Sequence, residues 1–161
     1  MLRSKTARLS LLGAVVALAL GVVFYPTDEK RVRQAAEALV AAANDSPAAL
    51  AQALDQYAVP NVTVSADELA EPLVGQAALL AAARQAAELG SKLHARVDAV
   101  EVTLEGQRAR LNADLVTSQA EVPELRRPRH SVLLFEKRSG AYRLVSAEIG
   151  AERRDQPEAR P

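Results

Sequence analysis

The sequence predicts an α+β domain in which three N-terminal helices pack on a curved, mainly antiparallel sheet, preceded by one transmembrane helix. Three observations lead to this prediction. Residues 9–25 form an uncharged apolar run, residues 28–43, 47–57 and 76–89 carry apolar side chains at helical spacing, and apolar and polar residues alternate in most of the chain from residue 93 to residue 149. The predicted organisation is a basic segment at 1–8, a membrane anchor at 9–25, the domain at 26–150 and a disordered tail at 151–161.

The apolar run from Leu9 to Tyr25 has the length and flanks of a signal anchor. Its 17 residues would span roughly 25 Å as a helix, close to the ~30 Å hydrocarbon core of a bilayer. Three basic residues precede the run, and no acidic residue occurs before Asp28. The positive-inside rule therefore predicts a single-pass protein of a bacterial inner membrane, with its N-terminus cytoplasmic and its domain periplasmic or extracellular.

A cleaved signal peptide is the alternative interpretation of the same segment. Ala17 and Ala19 match the small-residue pattern of a cleavage site. The apolar run continues for six residues beyond Ala19, however, so cleavage there would leave an apolar N-terminus. The anchor is therefore favoured, and both interpretations export the domain, which would be secreted if the signal were cleaved.

Helix start and stop signals divide the first half of the domain. Thr27 can cap a first helix, Ser46 can cap a second one with Pro47 at its first position, and Gly90 ends a third. The predicted helices cover residues 28–43, 47–57 and 76–89.

Period-two alternation predicts strands in the second half, after one early extended segment. The predicted strands cover residues 59–64, 93–104, 108–115, 130–137 and 142–149. The alternation changes phase near Asp98 to Val100, which indicates a bulge or bend. Residues 138–140 read as a hairpin turn, and the polar, proline-containing segment 119–129 reads as a loop.

Composition excludes several classes of function. Removing the three N-terminal basic residues leaves 17 basic against 20 acidic residues, so the exported part has no positive surplus for nucleic-acid binding. The chain has no cysteine, which excludes disulfides and thiol chemistry. Aromatic residues make up only 3% of the chain, so the core must consist mainly of Ala, Leu and Val.

Four segments carry a resemblance to a known superfamily over about residues 28–150. They are the opening helix DEKRVRQAAEALVAAA, the segment LVGQAALLAAARQ, the bent strand LHARVDAVEVTLEGQRARL and the closing hairpin SVLLFEKRSGAYRLVSAEI. In this order they resemble the nuclear transport factor 2-like, or cystatin-like, superfamily. The resemblance implies a sheet curled around the helices to leave a conical pocket. Members include ketosteroid isomerases, dehydratases, polyketide cyclases and non-catalytic binding or assembly domains, and a subset carries one N-terminal membrane helix.

The resemblance also directs attention to acids and tyrosines, because catalytic members usually place an acid or base beside a tyrosine hydroxyl in the pocket. Asp98 lies at the predicted bend and is the candidate base, and Tyr57 and Tyr142 are the available donors. Asp114 could form a carboxylate pair with Asp98, but its place on the polar phase of a strand favours a solvated side chain.

The remaining candidate groups have ordinary structural explanations. His94 shares the polar phase of its strand, and His130 follows a basic segment, so both are expected at the surface rather than in a metal site. Ser131 and Ser146 lack the sequence context of a nucleophile elbow. No cofactor or metal is predicted.

These inferences favour a non-enzymatic, membrane-tethered binding or assembly module over a pocket enzyme. The alternative is an isomerase, dehydratase or cyclase that uses Asp98 with Tyr57 or Tyr142. The expected partners are the membrane through residues 9–25, an envelope protein or a small apolar ligand, and a second copy of the chain.

Overall fold

The computed structural model of the protein describes residues 27–90, 93–119 and 122–152. Its elements in chain order are α1 Asp28–Asp45, α2 Pro47–Tyr57, β1 Ala58–Ala66, β2 Leu73–Val74, α3 Gln76–Glu88, β3 Leu93–Glu105, β4 Arg108–Gln119, β5 Val122–Arg138 and β6 Ala141–Glu152. The predicted anchor at 9–25 lies outside the described residues, as does most of the predicted tail at 151–161. Its first two residues, 151 and 152, belong to β6. None of the helices α1 to α3 combines the length and the apolar character that a membrane crossing requires.

The three helices pack on one six-stranded sheet with the order β2-β1-β6-β5-β4-β3. β1 runs parallel to β6, and every other neighbouring pair of strands is antiparallel. The prediction of an α+β domain with three helices on a mainly antiparallel sheet is therefore confirmed. The sheet is mixed because β1 pairs in parallel with β6, the last strand of the chain. The short strand β2 beside β1 was not predicted.

The predicted helix caps are present. Thr27 Oγ1 accepts a hydrogen bond of 3.3 Å from the Lys30 amide at the start of α1. Ser46 Oγ accepts one of 3.1 Å from the Ala49 amide at the start of α2. Each cap satisfies an amide that has no partner inside its helix, so these short sequence signals set where the two helices begin.

The predicted bulge in β3 is also present. The pairing of β3 with β4 shifts register between Asp98 and Glu101. Ala99, in the middle of this shift, has a φ of 48°, a left-handed conformation that is uncommon for a residue with a side chain. The bulge explains why the sequence alternation changes phase along β3 while Val97 before it and Val100 after it both pack on the core.

The prediction of a loop over residues 119–129 is wrong. β4 continues to Gln119 and β5 begins at Val122, and these two residues are paired. Pro128 stands opposite Val116 without interrupting the ladder. Pairing along a long hairpin outweighs the turn propensity of individual polar residues and prolines, and a proline can occupy a ladder position whose N–H is not needed.

The core lies between the sheet and helices α1 and α2, and its side chains are small. Seven of the sixteen buried hydrophobic residues in the described part of the chain are alanines. The largest fully buried side chain is that of Phe135 on β5. α3 contributes no buried residue and packs on this core through half-buried Leu79 and Leu80. Small side chains fill the space between a helix layer and a sheet incompletely, so this composition favours a cavity.

The first turn of α1 is fastened to the β5–β6 hairpin by a charged contact. Lys137 Nζ lies 2.9 Å from Asp28 Oδ2, and the Tyr142 hydroxyl donates to the same oxygen at 3.3 Å. The hydrogen bond from Lys137 holds the pKa of Asp28 below its ordinary value. Burial is the main reason that the pKa of Tyr142 is raised. We refer to Asp28, Lys137 and Tyr142 as the α1 clamp.

Replacing Asp28 with asparagine should change how stability depends on pH. A carboxylate whose pKa is lowered by folding contributes stability above its unfolded pKa and loses it as the pH falls through the folded pKa. Wild type should therefore be more stable than Asp28→Asn at pH 7, and the difference should shrink as the pH falls below about 4. Urea unfolding between pH 7 and pH 3 measures this, with Asp55→Asn, at an exposed position of α2, as the charge-matched control. Parallel stability curves for wild type and Asp28→Asn would contradict a stabilising clamp.

Candidate ligand-binding cavity

A cavity of about 270 Å³ lies between the helices and the inner face of the sheet and is partly open to solvent. Both sides of the domain contribute to its wall, with the C-terminal half of α1 and the start of α2 facing the strands. The lining residues are Ala36, Leu39, Val40, Ala43, Leu50, Leu54, Val64, Leu79, Ala95, Val97, Ala113, Leu115, Ser131, Leu133, Leu144, Ala147 and Ile149.

Alanines at inward-facing strand positions create the space. Ala95, Ala113 and Ala147 stand on β3, β4 and β6, and each side chain ends at a single methyl group. Longer apolar residues alternate with them along the same faces, so the wall is hydrocarbon while the centre stays unfilled. In the sequence, alanines at the inward-facing positions of these strands are the signal that indicates a cavity. The alternation of apolar and polar residues is the same for a cavity and for a filled core, so it does not distinguish them.

One polar side chain interrupts the hydrocarbon wall. Ser131 on β5 is 2% exposed and is the one buried polar residue among those that the structure describes. Its hydroxyl donates to the Arg129 carbonyl oxygen at 3.4 Å. The sequence around this serine contains no nucleophile elbow and so has no motif that marks it as a site residue. Its position in phase with Leu133 and Phe135 could have indicated an inward side chain.

The three catalytic candidates stand elsewhere. Asp98 pairs with Arg96 at 2.8 Å and keeps 40% of its side chain exposed at the β3 bulge. Tyr142 is engaged with Asp28 in the α1 clamp, and Tyr57 is half-buried at the end of α2. None of the three is among the cavity-lining residues. The cavity is built without them, and their catalytic role stays a prediction.

The histidines and Asp114 lie outside the cavity as well. Asp114 stands opposite Asp98 in the β3–β4 register, and its Oδ1 is 3.8 Å from Nδ1 of half-exposed His130 on β5. His94 is exposed on β3. A second cavity of about 270 Å³ has a mixed lining, in which His130, Asp67 and Glu148 are the charged or titratable members. Within the described residues, no group of three or more His, Cys, Asp or Glu side chains could hold a metal ion.

Solved structures of other proteins resemble this chain, whereas comparisons of its sequence find no match. The sequence matches no protein-family model and no curated protein. An NTF2-like protein of unknown function from Pseudomonas putida aligns with a TM-score of 0.65 at 12% identity, over 76% of this chain and 85% of that one. An NTF2-like protein with a cystatin-like fold from Novosphingobium aromaticivorans aligns with a TM-score of 0.58 at 20% identity, over 93% and 89%.

A third solved structure combines this fold with a suggested activity. A protein from Streptomyces avermitilis, provisionally described as a dehydratase of the NTF2-like family, aligns with a TM-score of 0.61 at 13% identity. The alignment covers 78% of this chain and 97% of that one. Identities this low establish architecture and not chemistry. The chain has the nuclear transport factor 2-like, or cystatin-like, fold.

Proposed function

We propose that the domain binds a small, largely hydrocarbon ligand in the cavity without catalysing a reaction on it. The observation that carries this proposal is the chemistry of the wall. Sixteen of the seventeen lining residues named above are hydrophobic, and the remaining one is Ser131. No acid, base or cation lines the cavity among the described residues.

The size of the cavity limits the ligand. An engineered apolar cavity of ~150 Å³ accommodates benzene in another protein, so a cavity of about 270 Å³ accommodates roughly ten non-hydrogen atoms. A ligand of this size gains mainly from removing apolar surface from water, at about 25 cal/mol per Å². Efficiencies typical of small ligands then place the dissociation constant roughly between micromolar and millimolar.

A pocket enzyme of isomerase, dehydratase or cyclase type is the alternative function. Its support is the architecture shared with the Streptomyces protein described above. General acid–base catalysis requires a titratable group within about 3 Å of the reacting atom. Because the described lining offers no such group, binding has the stronger support.

The cellular setting of this proposal is a membrane surface outside the cytoplasm. The uncharged run at residues 9–25 and the three basic residues before it support an anchor. Thr27 caps α1 directly after that run, so a tether would lead into the domain without a long linker. Membrane fractionation of the full chain and of a chain lacking residues 1–25 tests this, and recovery of both from the soluble fraction would contradict the anchor.

Filling the cavity should weaken ligand binding strongly. Ala113 on β4 is 3% exposed and lines the wall, so Ala113→Leu would place three additional carbons in the space. We expect at least a tenfold loss of affinity for toluene, measured by NMR titration, with an unchanged circular dichroism spectrum. Ala41→Leu, on the exposed side of α1, is the size-matched control and should bind as wild type does. Equal affinities of wild type and Ala113→Leu would count against the cavity as the binding site.

A further inference from the structure

Ser131 lies at the centre of the sheet side of the cavity. In the strand register it stands between Ala113 on β4 and Ile149 on β6, and both of these residues also line the cavity. A polar group in this position faces hydrocarbon, which cannot form hydrogen bonds with it. The serine is therefore the feature of the wall through which one ligand could be distinguished from another of the same size.

The hydroxyl of Ser131 has unused hydrogen-bonding capacity. Its proton is directed to the Arg129 carbonyl oxygen at 3.4 Å, which is long compared with the usual 2.7–2.8 Å of an O–H···O hydrogen bond. A serine oxygen can also accept hydrogen bonds, and no described residue donates one to it. Buried polar groups in folded proteins normally use their capacity, so a donor on a bound ligand would complete this site.

The backbone beside Ser131 is shaped by a bulge in the neighbouring strand. Arg129 pairs with Glu152 and Ser131 pairs with Ile149, so β6 has one extra residue between these two pairs. Gly150 lies in that interval, and a Cβ there would be only 3.0 Å from the His130 carbonyl oxygen. Bulges change the direction of side chains and are frequent next to binding sites. The irregularity thus coincides with the one polar position of the cavity wall.

We propose that the cavity takes an uncharged, mainly hydrocarbon molecule bearing a single hydroxyl group, which donates its hydrogen bond to Ser131 Oγ. This rests on the proposed binding function and specifies its ligand class. Carboxylates and amines are excluded because the described wall offers no opposite charge to compensate for their desolvation. Polyhydroxylated molecules are excluded because a second hydroxyl would be buried without a partner.

The test compares benzyl alcohol with toluene, which differ by one hydroxyl group, on the full-length protein. The measured quantity is the ratio of their two dissociation constants, obtained by NMR titration. We expect Ser131→Ala to weaken benzyl alcohol binding about three- to tenfold while toluene binding stays within twofold. Ser131→Cys nearly keeps the side-chain volume but hydrogen-bonds weakly, and it should show the same change in the ratio.

Ser146→Ala is the matched control, because Ser146 is a half-buried serine on β6 that does not line the cavity. This variant should keep the wild-type ratio. An unchanged ratio in Ser131→Ala, with both ligands still bound, would overturn the hydroxyl assignment and leave the apolar binding site standing. If wild type bound neither toluene nor benzyl alcohol, both the proposed binding function and the assignment of a hydroxyl-bearing ligand would be overturned.

Discussion

Replacing Phe135 with alanine should lower the free energy of unfolding by about 3–5 kcal/mol. Phe135 is 0% exposed and is the largest fully buried side chain among the described residues. It stands between Ala109 on β4 and Leu144 on β6, so its ring fills space beside a residue that ends at one methyl group. The substitution removes buried apolar area and leaves a void that these neighbours cannot close.

Urea or thermal unfolding measures the effect, and the melting temperature should fall by roughly 10–20 °C. Leu134→Ala is the matched control, because Leu134 is the next residue on β5 and is 42% exposed. It should change stability by about 0.5 kcal/mol or less. A loss below about 2 kcal/mol in Phe135→Ala would mean that the alanine-rich core does not depend on this ring.

Replacing Asn44 with alanine should lower the free energy of unfolding by about 2–3 kcal/mol. The Asn44 side chain makes two hydrogen bonds to one residue of β3, with Nδ2 donating to the Ala95 carbonyl at 2.6 Å and Oδ1 accepting from the Ala95 amide at 2.8 Å. β3 is an edge strand, so these two backbone groups face away from β4. Asn44 therefore forms the two backbone hydrogen bonds that a neighbouring strand would otherwise form with Ala95.

The variant has a second expected consequence. Unpaired backbone groups on an edge strand are a template for pairing with another chain, so Asn44→Ala should self-associate more readily. Chemical denaturation and sedimentation velocity measure the two effects. Asn61→Ala, at an exposed position of β1, is the control and should show neither. If Asn44→Ala lost less than about 0.5 kcal/mol and stayed monodisperse at the same concentrations as wild type, the protection of the β3 edge would be refuted.

Local signals account for the parts of the fold that the sequence predicts well. The caps at Thr27 and Ser46 act within three residues, and the change of phase in β3 is visible in the chain itself. The hairpin turn after β5 is equally local, since Ser139 and Gly140 both have positive φ, as a two-residue turn requires. The three helices were predicted to within a few residues for the same reason.

The features that were missed depend on contacts between distant parts of the chain. The two residues of β2 form a strand only because β1 lies beside them, and β5 extends back to Val122 only because β4 pairs with it. The cavity has the same origin, because an alanine at an inward position leaves space only when the opposite wall is also small or distant. Asn44 carries no sequence signal for its contact with Ala95, which lies 51 residues further along the chain.

The α1 clamp also has a mechanical consequence. Because Asp28 is held by Lys137 and Tyr142, a pull on the chain before Thr27 is transmitted to the β5–β6 hairpin. The cavity-lining part of α1, from Ala36 to Ala43, begins about 12 Å further along the helix axis and ends at about 22 Å. Tension on the N-terminus is thus carried by the β5–β6 hairpin rather than by the part of α1 that lines the cavity.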